Sequence, residues 1–183
     1  MLALTVLLLA AAPKPPANLE NPCGKEKAPF KGGCADVKQV APFIKAIGEW
    51  RAACDKGDRE KCVALGEAYR DGALVPTSPE YAAALFQYAC DGKEAIGCAT
   101  LGTLYRKGLG VKADPKKAAL LTELACTMGH ALSCSNAGYL YERGEGVTRD
   151  AKKAYELYMK GCNLGEKTGC ENAAIVSYGQ TPK

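Results

Sequence analysis

Eight cysteines constrain this 183-residue chain more than any other feature. They fall into four pairs: Cys54 and Cys62, Cys90 and Cys98, Cys126 and Cys134, Cys162 and Cys170. Seven residues intervene within each pair, and successive pairs are offset by 36 residues every time. A fixed period of about 20–50 residues marks a solenoid of stacked units, in which each unit buries its apolar face against its neighbours.

Other residues keep the same period. Gly66, Gly102 and Gly138 share a column, as do Tyr69, Tyr105 and Tyr141, then Gly72, Gly108 and Gly144. Val75, Val111 and Val147 follow, then Ala82, Ala118 and Ala154, then Leu85, Leu121 and Leu157. Within a unit the apolar and small positions, such as Cys98, Leu101, Gly102, Leu104 and Tyr105, fall at helical spacing. Each unit therefore reads as two helices. The mid-helix glycine costs about 1 kcal/mol relative to alanine, so its recurrence predicts close approach of a second helix. Gly108-Leu109-Gly110 and Gly144-Glu145-Gly146 end the first helix. Ser78, Asp114 and Asp150 stand where a second helix needs an N-cap, with Pro79 and Pro115 next in line. Ala82, Leu85, Phe86 and Ala89 point inward. Gly57, Gly92, Gly129 and Gly165 are expected to allow the turn into the next unit.

The cysteines are either bridges formed in an oxidising compartment or metal ligands. Structural zinc sites use close pairs such as C-x2-C, and pairs seven residues apart along a solenoid do not readily converge on one ion. The chain also has a single histidine, His130. No metal and no cofactor is expected. Each pair instead brackets a helix-to-helix turn, where antiparallel helices bring Cα atoms within bridging range. A bridge closing so short a loop stabilises by roughly 2–3 kcal/mol on the chain-entropy model. Cys23 and Cys34 are out of phase and are expected to tie down an N-terminal cap.

Residues 1–12, MLALTVLLLAAA, are apolar and end in small residues, ahead of a proline-rich stretch. The run is shorter than the ~20 residues a membrane span needs, and it suits a signal peptide. The expected layout is a signal peptide over 1–12, a proline-rich segment and cap over 13–35, and a half repeat over 36–57. Repeats follow at 58–93, 94–129 and 130–165, with a capping helix over 166–183. The expected location is secreted or periplasmic. The net charge of +4 is spread along the chain, so neither nucleic acid nor stable membrane insertion is indicated.

Leu101-Gly102-x-x-Tyr105-x-x-Gly108-x-Gly110-Val111, then Asp114-x-x-Lys117-Ala118, then Ala125-Cys126 resembles the Sel-one-like repeat. Cysteines eight apart across every unit boundary resemble its cysteine-rich secreted branch, the Helicobacter cysteine-rich protein type. The resemblance covers residues 54–174. It implies an all-α fold: an α/α superhelical solenoid of TPR-related, 36-residue helix-turn-helix repeats stapled by disulfides. Some members of that branch are named as penicillin-binding proteins or β-lactamases, while others in the wider family are scaffolds for protein complexes. One departure is Gly72-Ala73-Leu74, where the family prefers Gly-x-Gly.

The chemistry of hydrolysis finds little to work with. Ser78, Ser133, Ser135 and Ser177 all lack a lysine three residues on, so the Ser-x-x-Lys nucleophile is absent. His130 reads as a solvated turn residue. A binding surface is better supported, because the first helices of such an array line its concave face. Three variable columns remain there: Ala64, Thr100, Asn136 and Asn172; Glu67, Thr103 and Tyr139; Arg70, Arg106 and Glu142. Asparagines can hydrogen-bond an extended peptide backbone and arginines can grip carboxylates. The candidate binding residues are Glu67, Arg70, Thr103, Arg106, Asn136, Tyr139 and Asn172, and the expected partner is a protein or peptide. A weak β-lactamase is the competing reading.

Overall fold

The computed structural model describes residues 11–15, 23, 27–30 and 33–179. A short antiparallel hairpin, β1 (Lys27–Phe30) and β2 (Gly33–Asp36), leads into α1 (Val37–Asp55). Seven helices of 13 residues follow: α2 (Arg59–Asp71), α3 (Pro79–Asp91), α4 (Ala95–Lys107), α5 (Pro115–Thr127), α6 (Ala131–Arg143), α7 (Ala151–Asn163) and α8 (Lys167–Gly179). The first helices α2, α4, α6 and α8 start 36 residues apart, and so do the second helices α3, α5 and α7. Each helix packs on its neighbours in sequence, as nearest-neighbour stacking requires.

One clasp repeats in each unit. The backbone N–H of residue 78, 114 or 150 donates to the carbonyl of Tyr69, Tyr105 or Tyr141 at 2.8–2.9 Å, which pins the start of the second helix to the end of the first. Asp114 and Asp150 then cap their helices through the amides of Lys117 and Lys153. Ser78 occupies the same place but makes no capping bond; its side chain is buried instead.

All five bridges join the expected partners. Cys54–Cys62, Cys90–Cys98, Cys126–Cys134 and Cys162–Cys170 hold their Cα atoms 4.5–4.8 Å apart. Each joins the last turn of one helix to the first turn of the next. Cys162 near the end of α7 thus meets Cys170 near the start of α8, and this bridge fastens the terminal helix to the array. Cys23–Cys34 spans 5.6 Å. Cys34 lies in β2, so the out-of-phase bridge staples a hairpin. Pro29 of β1 accepts from the amide of Leu74 at 2.7 Å, docking the hairpin onto the first unit.

The turn between units departs from expectation at one point. Gly57, Gly129 and Gly165 take positive φ, but at the second boundary Lys93 does so at 65° and Gly92 sits at −79°. Gly92 lies against Arg59, whose side chain a Cβ would strike. The glycine therefore makes room and the lysine makes the turn. Leu74 likewise takes φ 70° where Gly110 and Gly146 stand in later units. Those two glycines lie under the carbonyls of Pro79 and Pro115, leaving no space for a Cβ. Leu74 instead lines a groove with Ile47 and Trp50 of α1, while its amide holds the hairpin.

The core runs between the two helix layers. Ala82, Leu85, Phe86 and Ala89 are fully buried with Leu65 and Leu101. The bridges Cys54–Cys62 and Cys126–Cys134 belong to this core. Among the described residues no helix is long and apolar enough to cross a membrane. The expected signal peptide lies outside the described residues except for Ala11 and Ala12, and Ala12 packs against the core of the first unit.

Candidate functional site

The second helices carry a column of large rings: Trp50, Phe86, Thr122 and Tyr158, with threonine as the exception. In two units the ring lies over the mid-helix glycine of its own first helix. A Cβ on Gly66 would sit 2.9 Å from the Phe86 ring, and one on Gly138 would sit 2.8 Å from Tyr158. In the middle unit Gly102 is retained but the ring is gone. The buried Thr122 turns its hydroxyl back to the Ala118 carbonyl at 2.8 Å.

A groove of about 70 Å³ lies over this position. It is lined by Gly102, Thr103 and Arg106 of α4, Thr122 of α5, and Asn136, Tyr139 and Leu140 of α6. Four of the seven expected binding residues, Thr103, Arg106, Asn136 and Tyr139, thus share one site. No hydrogen bond or ion pair within the described residues engages the side-chain polar groups of Arg106, Asn136 or Tyr139. Tyr139 is exposed, with Arg143 over its ring at 5.8 Å. Thr103 donates its hydroxyl hydrogen to Ala99 and keeps its lone pairs for a ligand. The groove offers one cation and several neutral donors and acceptors.

The remaining candidates are arranged differently. Arg70 grips its neighbour Asp71 with two bonds of 2.7 and 2.8 Å. That pairing holds the Arg70 guanidinium above its ordinary range and the Asp71 carboxyl below its own. Arg70 therefore has a partner already. Glu67 is exposed and lines a separate groove of about 210 Å³ with Trp50 and Ala64. Asn172 lies on α8, outside the middle groove. Glu142 accepts from Tyr158 Oη at 2.7 Å and serves the core. Thr122 itself is not among the expected residues, although a threonine in a ring column is a signal the sequence carries.

His130 contacts Ser133 Oγ at 2.8 Å through Nδ1, at the start of α6. Ser133 is buried, so this pair does not present the accessible nucleophile that hydrolysis needs. No observation favours the hydrolase reading. All cysteines are bridged, and among the described residues no group of three or more His, Cys, Asp or Glu is placed to hold a metal ion.

The Sel1 repeat model matches residues 62–93, 95–130 and 131–166, more than half the chain. The chain belongs to the Sel1 repeat family. Solved structures extend the likeness to about three quarters of the chain. A protective antigen of uropathogenic Escherichia coli displaying an SLR fold superposes with a TM-score of 0.70 at 22% identity, over 76% of this chain and 30% of its own. A Sel1 repeat protein from Oxalobacter formigenes gives 0.70 at 20% identity, over 76% of this chain and 57% of its own. This Sel1 repeat chain thus spans about a third and just over half of those two proteins, and their likeness concerns the fold. Helicobacter pylori cysteine rich protein B gives 0.58 at 28% identity, over 71% of this chain and 93% of its own. Comparison with curated proteins finds no match.

Proposed function

We propose that this chain is an exported Sel1 repeat scaffold that binds a protein or peptide partner across its first-helix face, centred on the groove floored by Thr122. The observation that carries this reading is the missing ring. It leaves Gly102 without a ring over it where Arg106, Asn136 and Tyr139 converge, side chains that make no hydrogen bond or ion pair among the described residues. An asparagine amide can pair with both the N–H and the C=O of an extended backbone, and an arginine can bind a carboxylate through two parallel bonds. Export is supported by five disulfides, which persist in oxidising compartments, and by the similarity to Helicobacter pylori cysteine rich protein B.

Site-specific photo-crosslinking tests the reading. A benzophenone side chain at Asn136 should capture a discrete partner from envelope extracts. The same probe at Lys160, on a second helix, should not. Equal capture from both positions, or none from either, contradicts the proposal. Removal of the Arg106 charge should weaken capture at position 136.

A further inference from the structure

The Tyr69/Tyr105/Tyr141 column meets a second surface, between consecutive second helices, and its three junctions differ. At the first, Arg51 donates to Tyr81 Oη at 2.7 Å and Tyr69 Oη at 3.0 Å, and the two rings meet edge to face at 4.7 Å. Tyr81 Oη in turn donates to the carbonyl of Pro13 at 2.9 Å, and Ala12 packs against the same apolar cluster as Val75. Ala12 and Pro13, at the start of the proline-rich segment, are therefore seated on this junction.

At the third junction Glu123 takes the place of Arg51. It accepts from Tyr141 Oη at 3.0 Å and pairs with Lys153 Nζ at 3.0 Å, so α5 and α7 are clamped together. The second junction has neither device. Gln87 turns away to Asp91 on its own helix at 2.8 Å. Lys117 Nζ lies 5.2 Å above the Tyr105 ring, and Tyr105 Oη has no hydrogen bond within the described residues. A groove of about 230 Å³ remains between α3 and α5, walled by Tyr105, Leu120 and Leu121. Tyr105 and Lys117 also line a wider groove of about 760 Å³ along Val111 and Pro115. Leu120 is 68% exposed, an apolar wall that the described residues leave open.

We infer that this second junction binds an extended proline-rich segment of a partner chain, in the manner in which the first junction holds the Pro13 carbonyl through Tyr81. The chemistry fits such a segment. A proline-rich backbone is extended before binding, offers carbonyl acceptors and lacks N–H donors at its prolines. The groove faces it with the Lys117 ammonium and the Tyr105 hydroxyl as donors, and with Leu120, Leu121 and the Tyr105 ring for the pyrrolidine rings. This surface shares no lining residue with the Thr122 groove, so either proposal can fail without the other.

The probe is the hexapeptide Ala-Ala-Pro-Lys-Pro-Pro, the sequence of residues 11–16, titrated into the full disulfide-bonded chain and followed by amide chemical shifts. Shifts should cluster on α3, α4 and α5 around Gln87, Tyr105 and Lys117. Tyr105→Phe should weaken binding about fivefold, as expected for one neutral hydrogen bond. Leu120→Glu, at an exposed position that leaves the helical circular dichroism intact, should weaken it at least about tenfold. Arg106→Ala should leave it unchanged. Absence of shifts at millimolar peptide would overturn the inference. So would binding abolished by Tyr81→Phe and untouched by Leu120→Glu, which would mean exchange with the resident segment at the first junction.

Discussion

The guanidinium carbon of Arg59 sits 3.5 Å from the centroid of the Tyr88 ring, and Arg59 Nη1 donates to the Tyr88 carbonyl at 3.1 Å. This stack ties the start of α2 to the end of α3 and covers Gly92. It explains why the glycine at that boundary is one position out of register with the other units. Gly92→Ala should displace Arg59 from the ring and destabilise by about 1 kcal/mol, the order of one exposed cation–π contact. Lys93→Gly should do the reverse. Left-handed φ costs a side-chain-bearing residue about 1–2 kcal/mol, part of which is offset by the extra freedom glycine has when unfolded. A net gain of about 0.5 kcal/mol is expected. Urea midpoints with the disulfides intact check both signs.

Ser135 carries a buried hydroxyl with no hydrogen-bond partner among the described residues, wedged beneath Gly161 and Gly169. An unsatisfied buried polar group costs about 1–3 kcal/mol relative to a satisfied one, whereas an apolar group of the same shape does not. Ser135→Ala keeps the Cβ and removes the hydroxyl. It should stabilise by up to about 1 kcal/mol, read as a raised melting temperature. A loss of stability would mean that the hydroxyl contributes a bond after all.

Several groups, Tyr81 among them through its burial, make alkaline pH the sensitive side. Burial first, and then hydrogen bonds to Glu123 and Glu142, hold the Tyr141 and Tyr158 hydroxyls above the ordinary phenol range. The hydrogen bond to Glu123 holds Lys153 above its own. A group with a raised folded pKa contributes stability that is complete below its unfolded value and is lost as pH rises through the folded one. With unfolded values of about 10 for tyrosine and about 10.4 for lysine, their contribution should be constant from neutral to about pH 10 and fall above it. Urea midpoints across this range should show that fall, and Tyr158→Phe should make it shallower. A loss that begins below about pH 9 would assign it to other groups.

The fold was legible because each period repeats a whole unit of physics. A glycine column, a tyrosine column and a cysteine pair recur only where the same contacts recur, and the helices do follow one another at 36 residues. The last pair, Cys162 and Cys170, keeps its bridge even though no further second helix follows it among the described residues. Details that depend on one neighbour were not legible. The shift from Gly92 to Lys93 follows from Arg59, which lies 33 residues before Gly92 in the chain. The N-terminal hairpin has four-residue strands and no alternating pattern, and it is held by Cys23–Cys34 and the Leu74 amide. On the candidate face, exposure could be read from the columns but partnership could not. Arg70 and Arg106 share a column, yet only Arg70 has an aspartate beside it.

Thr122 leaves Gly102 without the ring that Phe86 and Tyr158 lay over the glycine in the neighbouring units, and the proposed partner binds there. Thr122→Phe would put a ring back over Gly102. The change should leave the helical circular dichroism and the five disulfides intact, and a ring seated in the column should hold or raise stability. Titration calorimetry of the partner captured through position 136, against the native chain and Thr122→Phe, is the direct measurement. At least about a tenfold loss of affinity is expected for the filled groove, comparable with the loss of a buried contact worth about 1.4 kcal/mol. Unchanged affinity in a folded Thr122→Phe chain would contradict it.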